Sequence, residues 1–500
     1  MLSIYRKHIN PCGDSSPSLP RAESRGLSSR AKLGRLLLAV AMTFLSAAVR
    51  SQNPVPQIVG PVNPMSVAPG GGAFTLNVYG ANFVSGSVVN WNYQPRSTTF
   101  VSPHELQAQI LATDIERNTA GYVTVTNPTP GGGSSSSSWA QVEVHAPVST
   151  IVFKSPETYY WGGWLLLPAD FNHDSILDLV GQYGASGLVL FYGKTDGAFQ
   201  FDSVAGYFYD GAMGGTYGDF NGDGLLDLAY VAGSNAGVPS PQMNVMLGES
   251  NGRFSLGSQI KGNNLFENVV AGDFNGDGKL DLVISDGLAF HVYLGNGNGT
   301  FTLSGSYHHA ALNLVTADFN GDGKLDTAGI YNSGSGFTVN VFYGKGDGTL
   351  LPTPQTVATV SGRGPCSVNF LQVSDFNGDG NPDRAFCTNS QIGIILNNGK
   401  GRFQPPIMLD AGTNDQFTFA CGDINDDGNI DLLVSQFSVY GDPVFLTFLG
   451  NGDGTFQSSQ TIAMPTPFAA ELGLTVGDFG SRGTLDLASP SNYNMYIYTQ

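Results

Sequence analysis

The sequence has few cysteines, few basic residues and no apolar run long enough to cross a bilayer. Its 500 residues contain 22 Lys and Arg against 40 Asp and Glu, a formal net charge of −18. An acidic chain is repelled by nucleic acid and by anionic membrane surfaces, so we expect neither as a partner. The mostly apolar stretch 36–49 is fourteen residues long, whereas a membrane-spanning helix needs about 20.

The scarcity of cysteine also limits the metal chemistry. The four cysteines form no Cys-x-x-Cys pair and no cysteine–histidine spacing typical of a zinc site. Cys12 lies in the N-terminal segment, which leaves Cys366, Cys387 and Cys421, an odd number. Cys366 and Cys387 flank one of the repeated loops described below. They either form a disulfide or remain buried free thiols, and the sequence leaves both alternatives open.

The first 50 residues have the features of a secretory leader. Seven Lys and Arg residues occur within 1–35, followed by the apolar stretch and by the small residues Ser46, Ala47 and Ala48, which suit a signal peptidase. We therefore expect 1–50 to be a secretory signal peptide and the mature protein to be extracellular, in solution or associated with a cell surface. The alternative is a membrane anchor. Without these residues the chain would have 14 basic and 38 acidic residues, a net charge of −24.

The dominant feature of the remaining chain is a nine-residue acidic loop that occurs seven times. Its clearest copy, Asp273 to Asp281, reads Asp-Phe-Asn-Gly-Asp-Gly-Lys-Leu-Asp. The other copies begin at Asp170, Asp219, Asp318, Asp375, Asp423 and Asp478, so successive copies are 45 to 57 residues apart. A period of roughly 50 residues is typical of propellers and solenoids.

Six of the seven loops carry oxygen-bearing side chains at positions 1, 3, 5 and 9. Such a loop suits a hard cation with about six to eight oxygen ligands, which indicates Ca²⁺. An EF-hand is excluded because position 12 is not Glu and the flanking segments are β-type rather than helical. The alternative is that these residues only form turns, but three carboxylates would then repel one another without a cation.

The expected ligands are the side chains at positions 1, 3, 5 and 9 and the backbone carbonyl at position 7. Loop by loop, they are Asp170, Asn172, Asp174, Ile176 and Asp178; Asp219, Asn221, Asp223, Leu225 and Asp227; Asp273, Asn275, Asp277, Lys279 and Asp281; Asp318, Asn320, Asp322, Lys324 and Asp326; Asp375, Asn377, Asp379, Asn381 and Asp383; and Asp423, Asn425, Asp427, Asn429 and Asp431.

Two of the loops depart from the pattern. The first has His173 and Ser175 where most copies have Gly, so we expect a strained turn there. The seventh has Gly480 and Arg482 at positions 3 and 5. We expect its guanidinium to lie between the remaining carboxylates in place of an ion. The sequence therefore predicts up to six calcium ions and a metal-free loop at Asp478.

Each repeat contains four short β-type runs. In the third repeat one run enters the loop, and the others are 282–284, 291–294 and a run that begins at Phe301. The seventh repeat ends after its third run, 494–498, whereas 151–153 before the first loop is a run without a repeat. We expect this N-terminal strand to complete the last blade and close a ring, because closure removes open sheet edges.

Residues 147–500, through these loops, resemble the FG-GAP/VCBS repeat family, whose integrin-like members are seven-bladed propellers with calcium in the loop between the first two strands of a blade. The resemblance covers about 350 residues and implies fold and metal rather than function. The expected fold class is all-β: a seven-bladed β-propeller closed by an N-terminal strand and preceded by an Ig-like β-sandwich.

Residues 51–146 form a separate unit with alternating apolar and polar residues. Its expected strands are 74–78, 87–89, 107–110, 122–125 and 141–144. The phrases Gly80-Ala-Asn-Phe83, Val89-Asn-Trp91-Asn and Asn127 to Gly133 resemble the IPT/TIG immunoglobulin-like family. The Gly- and Ser-rich run 131–138 is either a loop before the last strand or a linker. His104 and His145 are expected to be surface or packing residues.

The sequence contains no readable catalytic motif. Gly248-Glu-Ser250-Asn-Gly252 matches the pattern of a nucleophile elbow, but it lies in a turn of an all-β repeat rather than between a strand and a helix. Paired acids of a glycosidase would be invisible in the sequence.

Aromatic and histidine residues are concentrated in the segments that link successive repeats. We expect these segments on the face of the ring opposite the acidic loops, where aromatic side chains suit sugar rings or protein anchors. The alternative is packing between blades. The candidates are Tyr160, Trp161, Trp164, Tyr207, Tyr209, His308 and His309. We expect a secreted calcium-binding adhesion or binding protein for a polysaccharide or a surface protein; the alternative is an extracellular polysaccharide lyase or glycosidase.

Overall fold

The protein is almost entirely β-structure. A computed structural model describes residues 52–59, 61–135, 138–160, 166–182, 188–203, 212–232, 242–333, 335–361, 366, 371–412, 416–437, 444–465, 473–490 and 494–500. These residues form 38 strands and one 3-10 helix, Ala112–Ile115. None of their helical structure is long and apolar enough to cross a membrane. The expected leader, 1–50, lies outside the described residues.

The N-terminal β-domain, residues 52–146, contains two sheets. Its strands are β1 (Gln57–Ile58), β2 (Ser66–Val67), β3 (Phe74–Ala81), β4 (Val88–Trp91), β5 (Gln94–Pro95), β6 (Thr98–Ser102), β7 (Glu105–Ile110), β8 (Thr119–Asn127), β9 (Gly133–Ser134) and β10 (Ala140–Val144). One sheet has the order β1-β3-β7-β6 and the other β2-β10-β8-β4-β5, with β9 paired to β8. The five expected strands overlap β3, β4, β7, β8 and β10, although β4 begins one residue later and ends two residues later than expected.

A shared apolar core joins the two sheets of this domain. Leu76 and Leu106 of the first sheet pack with Val89, Trp91 and Val142 of the second, and all five side chains are buried. Burial of each such side chain stabilises the fold by about 1.5 to 3 kcal/mol. The described residues of the Gly- and Ser-rich run, 131–135 and 138, include β9, which pairs with β8, and they precede β10. This favours a segment within the domain over a linker that ends it.

The remaining strands form seven four-stranded antiparallel sheets. They are β11 (Glu157–Tyr160), β12 (Leu166–Ala169), β13 (Asp178–Gln182), β14 (Leu188–Gly193), β15 (Phe199–Ser203), β16 (Ala212–Gly218), β17 (Asp227–Ala232), β18 (Gln242–Gly248), β19 (Phe254–Lys261), β20 (Asn268–Gly272), β21 (Asp281–Ser285), β22 (Phe290–Gly295), β23 (Phe301–Tyr307), β24 (Ala311–Ala317), β25 (Asp326–Asn332), β26 (Gly336–Phe342), β27 (Gln355–Ser361), β28 (Leu371–Ser374), β29 (Asp383–Cys387), β30 (Gln391–Ile395), β31 (Ile407–Asp410), β32 (Gln416–Gly422), β33 (Asp431–Phe437), β34 (Val444–Phe448), β35 (Gln460–Ile462), β36 (Thr475–Gly477), β37 (Asp486–Pro490) and β38 (Asn494–Tyr498).

Six of these sheets use four consecutive strands each, and the seventh has the order β11-β38-β37-β36. The first strands of successive sheets contact one another in chain order from β12 to β36, and β36 also contacts β12. Apolar layers fill the space between neighbouring sheets; for example, Val245 of β18 packs with Ala271 of β20 and Leu282 of β21. The circular order of contacts is consistent with a propeller.

The strand that joins the last sheet is not the one predicted. Residues 151–156 contain no strand, and β11 at Glu157–Tyr160 pairs with β38 instead. Pro156 has no N–H to donate to a strand ladder, which accounts for a ladder that begins only after it. Phe153 is still buried in a cluster with Tyr498.

The structure also decides between the alternatives for the cysteines. Cys366 and Cys387 form a disulfide with a Cα–Cα distance of 5.4 Å. Cys421 is a free thiol, and burial raises its pKa, which makes it a poor nucleophile.

Candidate metal centres

Every acidic loop connects the first and second strands of its sheet and is wound around its own carboxylates. In the third loop, Asp273 Oδ1 accepts the N–H groups of Gly276 (2.7 Å) and Asp277 (3.2 Å), and Asp273 Oδ2 accepts the N–H of Gly278 (2.9 Å). The two glycines have φ of 69° and 79°, a region that favours glycine. Asn275 Oδ1 accepts a further N–H from Asp277 at 2.9 Å.

The first loop has the strained turn that the sequence predicts. His173 and Ser175 adopt φ of 63° and 70°, values that are uncommon for residues with a Cβ. The hydrogen bonds of the loop are kept, because Ser175 donates its N–H to Asp170 Oδ2 at 2.6 Å.

The Asp at position 9 is the first residue of the second strand and is fully buried. Asp281 accepts the N–H of Phe274 on Oδ2 and the N–H of Gly295 on Oδ1, both at 2.9 Å. One carboxylate therefore ties the acidic loop to the turn between the third and fourth strands. The same two hydrogen bonds are made by Asp178, Asp227, Asp326, Asp383 and Asp431.

Burial and mutual repulsion make these carboxylates hard to ionise. Burial is the largest cause that raises the pKa of Asp281 to about 8, and the charges of Asp273 and Asp277 in the same loop raise it further. Asp326, Asp383 and Asp431 also reach about 8, and Asp227 about 7, for the same reasons. A cation held by the loop would relieve this repulsion.

The polar side chains of each loop form hydrogen bonds within that loop, and their oxygen atoms do not converge on one point. Among the described residues, no group of three or more His, Cys, Asp or Glu is arranged to hold a metal ion. The Asn at position 3 donates to the Asp at position 5 in four loops, as from Asn172 to Asp174 at 3.0 Å. The donor set still fits a hard cation, because all four side chains offer oxygen and three are carboxylates. Ligation would require these side chains to rotate.

The seventh loop contains a positive charge of its own. Arg482 Nη2 lies 2.7 Å from Asp486 Oδ1 and 2.6 Å from Oδ2, and Asp486 is fully buried. Asp478 accepts the backbone N–H of Arg482 at 2.9 Å. Burial raises the pKa of Asp478, and the guanidinium charge partly opposes this rise. The guanidinium was predicted to lie between both carboxylates. It pairs with Asp486, whereas the Asp478 carboxylate accepts backbone N–H groups of Gly480, Arg482 and Gly483.

The N-terminal β-domain lies against the acidic loops, which the sequence analysis did not predict. His145 Nδ1 lies 3.1 Å from Asp426 Oδ2, and His104 Nε2 lies 3.4 Å from Asp318 Oδ2. Both histidines thus contact loop carboxylates rather than only the surface or the core. Cavities of about 330 and 250 Å³ lie along this contact, the first lined by His145 and Arg482 and the second by Met65 and Asp375.

The described residues include little of the expected ligand face. Trp161, Trp164, Tyr207, Tyr209 and the side chain of Tyr160 lie outside them. His308 is exposed. His309 instead packs on Phe342, with ring centroids 4.9 Å apart, and on Tyr331.

The third sheet carries a hydrogen-bond chain that the sequence analysis missed. Ser306 Oγ lies 2.8 Å from His291 Nδ1, and His291 Nε2 lies 3.2 Å from Asp286 Oδ2. Asp286 also accepts an N–H from Ala289 at 2.7 Å. A Ser–His–Asp chain is the arrangement used by acyl-transfer enzymes, but acyl transfer further requires hydrogen-bond donors for an oxyanion. Ser306 is also exposed on the outermost strand of its sheet, away from both cavities. We interpret the chain as a structural link between β22 and β23.

Comparison with known proteins identifies the repeats. An FG-GAP-like repeat model matches residues 170–230, 273–329 and 375–434, so the chain contains FG-GAP-like repeats. No curated protein matches the chain.

Solved structures of low sequence identity are similar over most of the chain. One is an Agrocybe aegerita lectin described as recognising non-reducing terminal N-acetylglucosamine (16% identity, TM-score 0.47, 75% of this chain and 95% of that one). Others are auxiliary nutrient binding proteins from Bacteroides ovatus (12%, TM-score 0.37, 89% and 98%) and Bacteroides thetaiotaomicron (12%, TM-score 0.34, 90% and 99%).

In calcium-free solution we expect the protein to lose stability as the pH rises from about 4 to 8. The pKa values of Asp281, Asp326, Asp383 and Asp431 are raised to about 8 in the folded state, above the usual 3.8. Between these values the folded state binds more protons than the unfolded state, so each rise in pH favours unfolding. Melting temperatures measured across this range in chelator-treated buffer test the prediction.

The control for this pH series is the same series in millimolar calcium. Cations held by the loops would keep the carboxylates ionised, so in their presence the decline with pH should disappear or reverse. A calcium-free melting temperature that rises from pH 4 to 8 would contradict the prediction.

Proposed function

We propose that residues 147–500 form a seven-bladed β-propeller, stabilised by up to six calcium ions, that binds a polysaccharide or a surface protein outside the cell. The seven four-stranded sheets, the circular contacts of their first strands and the pairing of β11 with β38 support seven blades closed by an N-terminal strand. The N-terminal β-domain is proposed to be an IPT/TIG-type immunoglobulin-like module.

The contrast between six loops and the seventh carries the calcium assignment. In six loops the charges at positions 1 and 5 raise the pKa of the buried Asp at position 9, whereas the loop with Gly480 and Arg482 pairs Asp486 with a guanidinium. A cationic side chain thus occurs in the loop that has lost two of the oxygen ligands. When bound, calcium would neutralise the carboxylates and tie positions 1, 3, 5, 7 and 9 of each loop together.

Binding is assigned to the connections between blades because the acidic loops face the N-terminal β-domain. Loops on a rigid scaffold are common binding sites, and the exposed His308 lies in one of these connections. Of the aromatic candidates, Tyr160 is the last residue of β11, and Trp161 and Trp164 follow it in the sequence before β12.

A glycan array probed with the full chain, with and without calcium, tests this function. We expect calcium-dependent binding to a restricted set of polysaccharides, reduced at least about tenfold by Trp161→Ala or Trp164→Ala, because stacked aromatic anchors dominate such contacts. Phe100→Ala is the matched control, since Phe100 is an exposed aromatic of the N-terminal β-domain.

Two further measurements complete this test. Incubation of any bound glycan with the protein tests for turnover, and cleavage would favour the lyase or glycosidase alternative. If no glycan binds, a screen of extracellular proteins follows. Absence of binding in both screens would overturn the proposed function.

A further inference from the structure

We propose that the N-terminal β-domain docks on the acidic loops in a cation-dependent way: its hydrogen-bond donors engage the same carboxylates that open the loops, so that docking and cation binding stabilise each other. The inference rests on the proposed binding of calcium by these loops. It adds a function for the N-terminal β-domain, for which the sequence suggests no chemistry.

The third loop is engaged by a backbone donor and a side-chain donor of the domain. The backbone N–H of Val55 donates to Asp273 Oδ2 at 2.9 Å, across 218 residues of sequence. Asn82 Nδ2 lies 3.1 Å from the carbonyl oxygen of Val55 and 3.4 Å from that of Asp273. A Cβ at Gly278 would lie 2.7 Å from the carbonyl oxygen of Asn53. The glycine at loop position 6 therefore leaves room for the domain to approach.

The first and fourth loops are engaged at the same oxygen. Tyr93 donates its hydroxyl to Asp170 Oδ2 at 2.9 Å, and its ring stacks on His173 with centroids 5.1 Å apart. His104 Nε2 lies 3.4 Å from Asp318 Oδ2. In all three loops this Oδ2 also accepts the N–H of loop position 6. The Oδ2 atoms thus have two partners each, one from the loop and one from the N-terminal β-domain, whereas the Oδ1 atoms accept backbone N–H groups of their own loops. At Oδ1 a cation would therefore compete with N–H groups of the loop and not with the donors of the N-terminal β-domain.

The remaining contacts extend this interface to the fifth, sixth and seventh loops. A Cβ at Gly380 would lie 2.6 Å from the ring of Tyr79. Ser66 Oγ donates to the carbonyl oxygen of Asp426 at 3.0 Å, and Gln141 exchanges two hydrogen bonds with the backbone of Asp478, of 3.3 and 3.0 Å. The domain therefore contacts six of the seven loops in the described part of the chain.

Electrostatics explains why this contact should depend on cations. Glu143 of β10 is buried, and after burial itself the charges of Asp423, Asp426 and Asp478 raise its pKa. Docking thus places a further carboxyl group beside loops that are already crowded with carboxylates. A cation in each loop would offset this repulsion, and the donors of the domain would in turn hold the position-1 carboxylates in place.

Hydrogen exchange on the full chain measures the docking, and calorimetric calcium titration measures the binding. The N–H of Val55 reports docking, because it donates to Asp273, and the amides of β21 report the integrity of the repeats. We expect calcium withdrawal to accelerate exchange of peptides that contain Val55 at least about tenfold, while the amides of β21 stay protected. A hydrogen bond to a charged group commonly stabilises a contact by a factor of that size.

A tyrosine pair provides the matched variants. Tyr93→Phe removes the hydroxyl that reaches Asp170. At saturating calcium it should accelerate exchange of the Tyr93 region, and by reciprocity it should weaken calcium binding by about fivefold at one site. Tyr293→Phe, in a half-buried tyrosine of β22, should change neither quantity.

The outcomes separate the two proposals. If calcium binds but leaves exchange at Val55 unchanged, and Tyr93→Phe alters neither exchange nor affinity, the coupling is wrong and the calcium sites stand. If the titration detects no calcium binding, the calcium assignment itself fails and the coupling with it. If chelation accelerates exchange at Val55 and in β21 together, the variants Tyr93→Phe and Tyr293→Phe are compared at saturating calcium. If the two variants do not differ in hydrogen exchange or in calcium affinity, the coupling is overturned.

Discussion

Removal of calcium with a chelator is expected to lower the melting temperature by about 10 °C or more. The physical reason is the set of position-9 carboxylates, such as Asp281 and Asp326, which are fully buried and repelled by two other carboxylates of their own loops. Without a cation they must remain protonated or repel one another. Calorimetry in about 10 mM calcium and in chelator measures the difference.

The size of this effect follows from the number of sites. Extracellular calcium modules commonly have dissociation constants of about 10⁻⁴ to 10⁻³ M. At a calcium concentration of about 10 to 100 times the dissociation constant, each site adds about 1.4 to 2.7 kcal/mol to the free energy of unfolding. Six sites would add about 8 to 16 kcal/mol if they acted independently. For a chain of this length, each kcal/mol shifts the melting temperature by roughly 1 °C.

Two Asp→Asn variants make the test specific. Asp281→Asn removes a proposed ligand and should reduce the calcium-dependent shift by about one sixth of its value, as one of six sites. Asp347→Asn alters an exposed Asp that accepts hydrogen bonds from Thr349 in a similar glycine-rich turn outside the acidic loops, and should leave the shift unchanged. Identical melting curves with and without chelator would refute a structural role for calcium.

Local features of the fold are well predicted from the sequence because they depend on near neighbours. The third strand of the last repeat, 494–498, coincides with β38. The strained residues His173 and Ser175 were identified because glycine occupies those positions in other copies. The order of strands and turns within one repeat follows from chemistry that lies within about 50 residues.

Contacts between distant segments were not predicted, because no local pattern encodes them. The closing strand was placed at 151–153, whereas the ladder begins only after Pro156. The docking of the N-terminal β-domain depends on single donors such as the N–H of Val55, which every residue but proline has. The pairing of His145 with Asp426 joins residues 281 positions apart. The one available signal was Asp426 itself, an acidic residue where most loops have glycine.

Replacement of Arg482 by alanine is expected to lower the free energy of unfolding by about 3 kcal/mol, with calcium or without it. Arg482 holds two short hydrogen bonds to Asp486, which is fully buried. Burial and the charge of Asp478 already raise the pKa of Asp486 to about 7, and the guanidinium opposes this rise. Loss of the guanidinium would leave a buried carboxylate without a cationic partner, with only the longer hydrogen bond from the N–H of Gln500 at 3.3 Å. Denaturant titrations of Arg482→Ala and wild type in calcium and in chelator measure this loss.

A double variant converts the same loop into a test of the calcium assignment. Gly480→Asn with Arg482→Asp restores oxygen side chains at positions 3 and 5, as in the third loop. A Cβ at Gly480 would lie 3.0 Å from Gly197 Cα, which requires a small shift of that turn. We expect the double variant to be less stable than wild type in chelator, and saturating calcium to restore about 1.4 to 2.7 kcal/mol beyond the gain seen in wild type. An equal calcium response of the double variant and Arg482→Ala would contradict the assignment, because both lack the guanidinium and only the double variant has a complete set of ligands.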